Sequence, residues 1–226
     1  SYKIMKGIDR TKDQSYVFCY LTQELLSRTI FPLGKTYKVD NLKIAKQLGL
    51  KSVQVGESQD LCFVSPDHYK QFIRESLPTS FLPGDIVDMD GNVLGQHRGV
   101  IHYTIGQRRG LGIGGLADPL YVVKLDVDAR HVIVGSKDLL ATRNVPLREI
   151  NWLGEGGLLE GGERQIAVKV RSTRPPIDAI LRPISDTEAE VELLVAEEGV
   201  SPGQACVFYD PESTRVLGGG WIWRGY

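Results

Sequence analysis

Cys62 stands in the run Ser58-Gln59-Asp60-Leu61-Cys62-Phe63-Val64, where a polar, acidic stretch leads straight into an apolar pair. The pattern sets the cysteine where a loop enters a strand, its sulfur facing a cleft and Phe63 and Val64 anchoring the backbone behind it. A thiolate is both nucleophile and sulfur carrier, provided its surroundings lower a pKa that starts near about 8.5. The competing reading is a small buried hydrophobe, the usual fate of a free cysteine. On the heptapeptide alone that second reading leads. A hydrolase would need a base for the thiol. His68 is nearest in sequence, inside a helix pattern, and nothing pins the two groups together.

Four other groupings carry polar chemistry. Lys12-Asp13-Gln14-Ser15 reads as a helix start bearing a cation, an amide and a hydroxyl. Helix N-termini favour anions, and Gln hydrogen-bonds base edges or phosphates, although taken alone the motif reads first as capping by Asp13. Gly106-Gln107-Arg108-Arg109-Gly110-Leu111-Gly112-Ile113-Gly114-Gly115 contains G-x-G-x-x-G, but Asp118-Pro119 and a strand follow it. A dinucleotide site needs a helix there, so that reading is rejected. What is left is a glycine loop with two arginines, suited to phosphate contacts or to nothing more than a turn. Lys169, Arg171 and Arg174 gather at a strand end stiffened by Pro175-Pro176, either a nucleic-acid grip or a solvated edge. Ser201-Pro202-Gly203-Gln204 is a turn with an outward amide.

The elements that must position these groups fall into three stretches. The 226 residues exceed the commonest domain size of roughly 100–150. Asp13 caps a predicted helix from about Gln14 to Arg28, and Asp40 a second one carrying Leu42, Ile44, Ala45 and Leu48 before Gly49 stops it. Val53 and Val55 alternate with polar neighbours as a short strand. Two short helices and a scrap of strand cannot close a core alone, so residues 1–64 read as the tail of a larger α/β domain. Residues 65–145 form a small central α+β unit. Its helix opens at Ser65-Pro66-Asp67 and carries Tyr69, Phe72 and Ile73. A hairpin turns at Asp90-Gly91, a strand covers 100–105, and a second hairpin turns around Asp128-Ala129-Arg130. Residues 146–226 are almost wholly β, with strands at 147–153, 164–171, 177–185, 188–195, 204–209 and 214–223. Six short strands at regular spacing predict a small closed barrel, with a mobile turn at 154–162. The fold class is therefore an α/β remnant followed by mostly β structure.

Composition excludes several classes. The hydrophobic fraction of 42% and the charged fraction of 24% are those of a globular chain. No apolar run approaches the roughly 20 residues of a membrane span. Net charge is −1, so any affinity for RNA must come from local basic patches. The three cysteines Cys19, Cys62 and Cys206 make no Cys-x-x-Cys pair and no zinc spacing with His68, His97, His102 or His131, so no metal is expected. Scattered and odd in number, they fit a reducing, cytoplasmic setting.

In their order along the chain, several segments resemble the tRNA-specific 2-thiouridylases, enzymes that replace the C2 oxygen of the wobble uridine by sulfur. The segments are Lys6-Gly7-Ile8-Asp9, Lys12-Asp13-Gln14-Ser15-Tyr16, Phe31-Pro32-Leu33-Gly34, Leu48-Gly49-Leu50, and Ser58 through Phe63. Further on come His102-Tyr103-Thr104-Ile105-Gly106-Gln107-Arg108, Gly110 through Gly115, Tyr121-Val122-Val123, Ser201-Pro202-Gly203-Gln204 and Leu217-Gly218-Gly219-Gly220. The resemblance covers essentially the whole chain. The family opens with an ATP-pyrophosphatase domain bearing a Ser-Gly-Gly-x-Asp-Ser loop and a first catalytic cysteine, and neither is present in these 226 residues.

The resemblance implies that residues 1–64 correspond to the last part of the ATP-pyrophosphatase domain, 65–145 to the central domain, and 146–226 to a tRNA-binding β-barrel. It implies that Cys62 holds a transferable persulfide. In the full enzyme ATP, with magnesium, adenylates the uridine C2 oxygen. Sulfur from the Cys62 persulfide then attacks C2, directly or as released hydrosulfide, and the first cysteine resolves the remaining bond. The ATP site would lie mostly outside this chain, with none expected bound here. RNA contacts are implied for Lys12, Asp13 and Gln14, for Arg171 and Ser172, and for Gln204. At Ser172 the family commonly carries an aromatic residue, so the match is of position and not of type. The implied partners are the tRNA anticodon stem-loop and a sulfur-donor protein carrying a persulfide, with no membrane. This chain alone is expected to be a partial enzyme without turnover. The competing expectation is a non-catalytic tRNA-binding module.

Overall fold

The computed structural model describes residues 1–50, 71, 74–114 and 118–223. Cys62, the short strand at Val53 and Val55, and the helix opened by Ser65-Pro66-Asp67 lie outside the described residues. The described residues up to Leu50 and those from Thr142 onward form one compact unit, and those between, up to Ala141, form a second. Among the described residues no helix is long and apolar enough to cross a membrane.

The last third of the chain is the closed six-stranded barrel that its alternation predicts. Its strands are β6 (Ala141–Trp152), β7 (Arg164–Lys169), β8 (Ile177–Pro183), β9 (Ala189–Glu198), β10 (Ala205–Tyr209) and β11 (Arg215–Ile222). They run in the order β11-β10-β7-β8-β9-β6, and β11 pairs back onto β6, which removes both free edges. Alternate residues fill the interior: Ile166, Val168 and Val170, then Ala179 and Leu181, then Val191 and Leu193, then Cys206 and Phe208. β6 bends around the barrel at a bulge. Arg148 pairs with Trp221 and Asn151 with Gly219, so Glu149 and Ile150 face Gly220 alone, and Glu149 sits at φ 53. The loop read as a mobile turn is tied down instead. Leu158 is buried in the barrel core, and the Arg164 guanidinium donates to the Leu158 and Gly157 carbonyls.

The beginning of the chain wraps the outside of this barrel. β1 (Ile4–Met5) adds to β11 through Ile4–Val216 and Met5–Arg215 pairs. Ile4, Cys19 and Leu26 then pack against the outward residues Leu153, Ala167, Val207, Tyr209 and Val216. β10 is consequently apolar on both faces: Cys206 and Phe208 point in, Val207 and Tyr209 point out, and all four are fully buried. Burying a side chain of this size contributes roughly 1.5–3 kcal/mol. Polar staples fix the layer. The Asn151 side-chain amide donates to the Cys19 carbonyl at 2.7 Å and to that of Leu21 at 3.1 Å. The Tyr16 hydroxyl donates to the Ala205 carbonyl at 2.6 Å.

Those staples break the single helix expected over 14–28. The chain makes a 3-10 turn at Ser15–Phe18, runs irregularly while Asn151 takes its carbonyls, and restarts as α1 (Gln23–Ser27). Thr22 caps α1 by accepting the Leu25 N–H. The next helix, α2 (Lys38–Gln47), begins two residues before the expected cap Asp40 and ends as expected at Gly49, where φ is +67. Gly49 N–H bonds to Lys46 and Leu50 N–H to Ala45, the reciprocal pattern of a glycine-terminated helix.

The second unit is a four-stranded sheet of order β3-β2-β5-β4, from β2 (Gly84–Val87), β3 (Val93–His97), β4 (Tyr121–Asp126) and β5 (His131–Gly135). Both expected hairpins are present, and β2 runs parallel to β5. Ile86, Val100, Leu111, Val122, Val132 and Val134 make its core. The strand read at 100–105 is instead a 3-10 turn at Val100–His102. Gly99, at φ 136, turns the chain so that Val100 is buried in the core with Tyr103 packed partly buried against it, a spacing of three and not of two. His97 is buried and structural, its Nδ1 accepting from Gly99 N–H and its Nε2 facing the Arg130 carbonyl, both at 2.9 Å.

Candidate nucleic-acid interface

Three segments far apart in the chain meet on one rim of the barrel unit. The first follows β1 and holds Lys12, Asp13 and Gln14. Asp13 does not cap an α-helix. Its carboxylate accepts Gly7 N–H at 2.9 Å and the Ser15 hydroxyl at 2.8 Å, folding residues 7–15 into a compact corner. Ser15 is buried under that corner, while Lys12 and Gln14 lie on the exposed side. The second segment is the end of β7, where the Lys169 ammonium donates to the Ser172 carbonyl at 2.6 Å. The third is the start of β10 at Gln204, exposed beside Ala205, whose carbonyl takes the Tyr16 hydroxyl. Tyr16 joins all three, because Lys169 Nζ also lies 5.8 Å from its ring centroid.

The expected RNA-contact residues thus share one neighbourhood, with differences in what each side chain is free to do. Gln14, Ser172 and Gln204 are exposed. Arg171 is half-buried and donates one N–H to the Gly199 carbonyl, which ties the end of β7 to the turn after β9. Its planar fork keeps further donors. Arg174, also in the basic cluster, is paired with Glu197 at 3.3 Å. Cys62 lies outside the described residues.

Lys6, which the sequence analysis quotes only within a resembling segment, lies along the outer face of β10 toward its turn into β11. The Lys6 ammonium sits 4.3 Å above the Tyr209 ring centroid and donates to the Ser213 hydroxyl at 2.6 Å. Burial pushes the Lys6 ammonium below its ordinary pKa, with Asp13 opposing the shift and Lys169 and Arg10 adding to it. Burial likewise lowers Lys169, again opposed by Asp13. Burial pushes the Tyr16 hydroxyl up to about 12, so it stays a donor throughout the neutral range. The local sequence signal for Lys6 was weak, a single lysine after a two-residue strand.

The remaining motifs turn inward. Gln107 closes its own loop, its side-chain oxygen accepting Thr104 N–H at 3.1 Å and its amide donating to the Arg109 carbonyl at 2.9 Å. Leu111 is buried beneath, and Arg108 and Arg109 are exposed. Among the described residues between Gly106 and β4 there is no helix. Among the described residues no group of three or more His, Cys, Asp or Glu could hold a metal ion.

Three family profiles match the chain in succession. They are described as the tRNA methyl transferase HUP domain over residues 1–66, the tRNA methyl transferase PRC-barrel domain over 70–136, and the aminomethyltransferase beta-barrel domain over 142–222. Similar curated proteins include the tRNA-specific 2-thiouridylase MnmA of Dinoroseobacter shibae, 64% identical over 99% of this chain and 58% of its own length. The proteins of the same name from Ruegeria sp. (strain TM1040) and Ruegeria pomeroyi are 59% and 58% identical, each over 96% of this chain. The chain spans 57% and 58% of their respective lengths.

Proposed function

The chain belongs to the tRNA-specific 2-thiouridylase family, and on that premise we propose that it is the RNA-gripping and sulfur-carrying part of an ATP-dependent tRNA-uridine 2-sulfurtransferase. The profile descriptions speak of methyl transfer, whereas the relative from Dinoroseobacter shibae, 64% identical across the chain, is named for thiolation, and the proposal follows that name. The observation that carries the RNA half of the reading is the meeting of residues 12–16, 169–172 and 204–205 on one barrel rim. A barrel edge with amides, cations and an aromatic ring suits an RNA backbone and unpaired bases. The ligand is proposed to be the tRNA anticodon stem-loop, in the cytoplasm.

Within that reading Cys62 carries the sulfur as a persulfide received from a donor protein. Transfer would form a carbon–sulfur bond at uridine C2 as the bond from C2 to its activated oxygen breaks. The persulfide's sulfur–sulfur bond would be cleaved by the thiolate of the resolving cysteine that the resemblance implies, which supplies the two electrons and ends as a disulfide with Cys62. The thiol must be poised as a thiolate to accept sulfur quickly, and the wobble base must leave its stack for C2 to be reached. Lys12, Gln14, Ser172 and Gln204 hold the RNA in register, Arg171 braces the strand end beside them, and Asp13 shapes the corner that presents Gln14. ATP with magnesium is proposed for the whole enzyme, as the resemblance implies, and no step here runs through it.

The 226-residue chain is expected to bind tRNA in a salt-dependent way, yet to make no 2-thiouridine from ATP and a persulfide donor. Fluorescence anisotropy and mass spectrometry of digested tRNA measure the two halves. Absence of tRNA affinity contradicts the first, and 2-thiouridine above a no-enzyme control contradicts the second.

A further inference from the structure

Lys6 and Lys169 are two half-buried ammonium groups, each within the field of the Asp13 carboxylate. Among the described residues neither has a carboxylate oxygen within 4.0 Å. Asp13, the nearest candidate, is committed to Gly7 N–H and the Ser15 hydroxyl. Asp210, the other acid that Lys6 feels, is committed to Thr214 and to Arg215 N–H. A partly desolvated cation without a close anion is costly, and nothing in the barrel's packing requires a charge at either place. Each ammonium rests against an aromatic ring, Tyr209 under Lys6 and Tyr16 beside Lys169, which holds the charge without consuming its N–H donors. Each uses one donor on the protein, to Ser213 for Lys6 and to Ser172 for Lys169. Two of the three N–H groups on each nitrogen are left.

We propose that Lys6 and Lys169 are a pair of RNA phosphate contacts, pre-positioned by the Asp13 corner and their aromatic rests, Lys169 beside the rim that presents Gln14 and Gln204 and Lys6 farther along the outer face of β10, toward the turn at Ser213. The proposal deepens the tRNA reading and rests on it. Phosphates of an RNA backbone supply the missing anions at two points, while the neighbouring amides face bases or sugars. Asp13 acts in this scheme as a positioning residue, because its oxygens face inward to the backbone of its own corner.

The test is the salt dependence of tRNA binding by the 226-residue chain, with an unmodified transcript carrying a wobble uridine. Lys6→Met and Lys169→Met keep the apolar stems and remove the charges. Lys43→Met serves as control, since Lys43 is exposed and paired with Asp40 at 2.9 Å. Each Met variant is expected to weaken binding several-fold at 0.15 M salt and to reduce the slope of log affinity against log salt by about one, the double variant by about two. Arg at either position should restore the slope, and Lys43→Met should leave it unchanged. Any Met variant that does not melt cooperatively is replaced by Gln at the same position. Slopes unchanged in both lysine variants, with wild-type binding intact, overturn the pair and leave the tRNA reading standing. Displacement of the RNA by inorganic phosphate at constant ionic strength marks a small-anion pocket and also overturns it. A wild-type chain with no affinity for tRNA removes the reading and the pair together.

Discussion

Cys62→Ser should abolish 2-thiouridine formation in any assembly that uses this chain as its sulfur carrier, by on the order of a thousandfold or more, because the covalent step has no substitute. The two other thiols cannot take over. Cys19 is 2% exposed, and burial pushes its thiol up to about 11. Cys206 is fully buried in the barrel, and burial raises its thiol further still, helped by the neighbouring Cys19. A thiol with such a pKa is protonated at neutral pH and a poor sulfur acceptor. Mass spectrometry of nucleosides from tRNA treated with wild-type and variant assemblies measures the effect. Serine keeps the volume and removes the sulfur chemistry, so lost thiolation with retained tRNA affinity separates chemistry from folding. Undiminished 2-thiouridine would move the carrier elsewhere.

The largest stability effect is expected at Gly218, in the run Leu217-Gly218-Gly219-Gly220. Gly218 has φ +125, and a Cβ there would lie 2.0 Å from the Asn151 carbonyl oxygen. Asn151 in turn holds the Cys19 and Leu21 carbonyls, so a shift of its backbone is passed to the layer outside the barrel. Gly219 has no spare room either, since its Cβ would meet Cys206 O at 2.9 Å and Cys19 Sγ at 3.1 Å. The glycine run thus lets β11 pass between β10, β6 and the first segment at backbone distance. Gly218→Ala combines a disfavoured backbone conformation with overpacking and should destabilise by about 3 kcal/mol or more. Gly91→Ala is the comparison: its φ is +87, but nothing lies within 4 Å of the added carbon, so strain acts there without a clash. Urea unfolding followed by tryptophan fluorescence gives both values. A Gly218 variant as stable as wild type would mean that β11 has room for a side chain at this point.

Much of the barrel is legible in the sequence because its strands alternate and its turns carry Gly, Pro or Asp. β8, with inward Ala179 and Leu181 between outward Asp178 and Ile180, is a clear case. The outer layer was not read, although β10 carries its signal. Ala205-Cys206-Val207-Phe208-Tyr209 has no polar alternate, as a strand covered on both faces requires. The broken helix after Asp13 was not legible locally, since the group that interrupts it, Asn151, lies 132 positions from Cys19. The run 100–105 misled for another reason: an alternation of six residues is too short to tell a strand from a turn with one buried side chain. Lys12, Gln14 and Gln204 stand out as motifs and receive their RNA role from the resemblance, whereas Lys6 is recognisable only once Tyr209 lies beneath it and Asp13 acts on it.

Cys62 is proposed to be a poised thiol at a site that RNA covers. Alkylation of the three cysteines across pH, mapped by peptide mass with and without tRNA, tests it against an internal baseline of two buried thiols. Cys62 should label preferentially below pH 8 and be protected by tRNA, while Cys19 and Cys206 stay slow until far more alkaline pH. Cys62 labelling no faster than the other two, or just as fast with tRNA bound, would contradict the account and leave an RNA-binding module without sulfur chemistry.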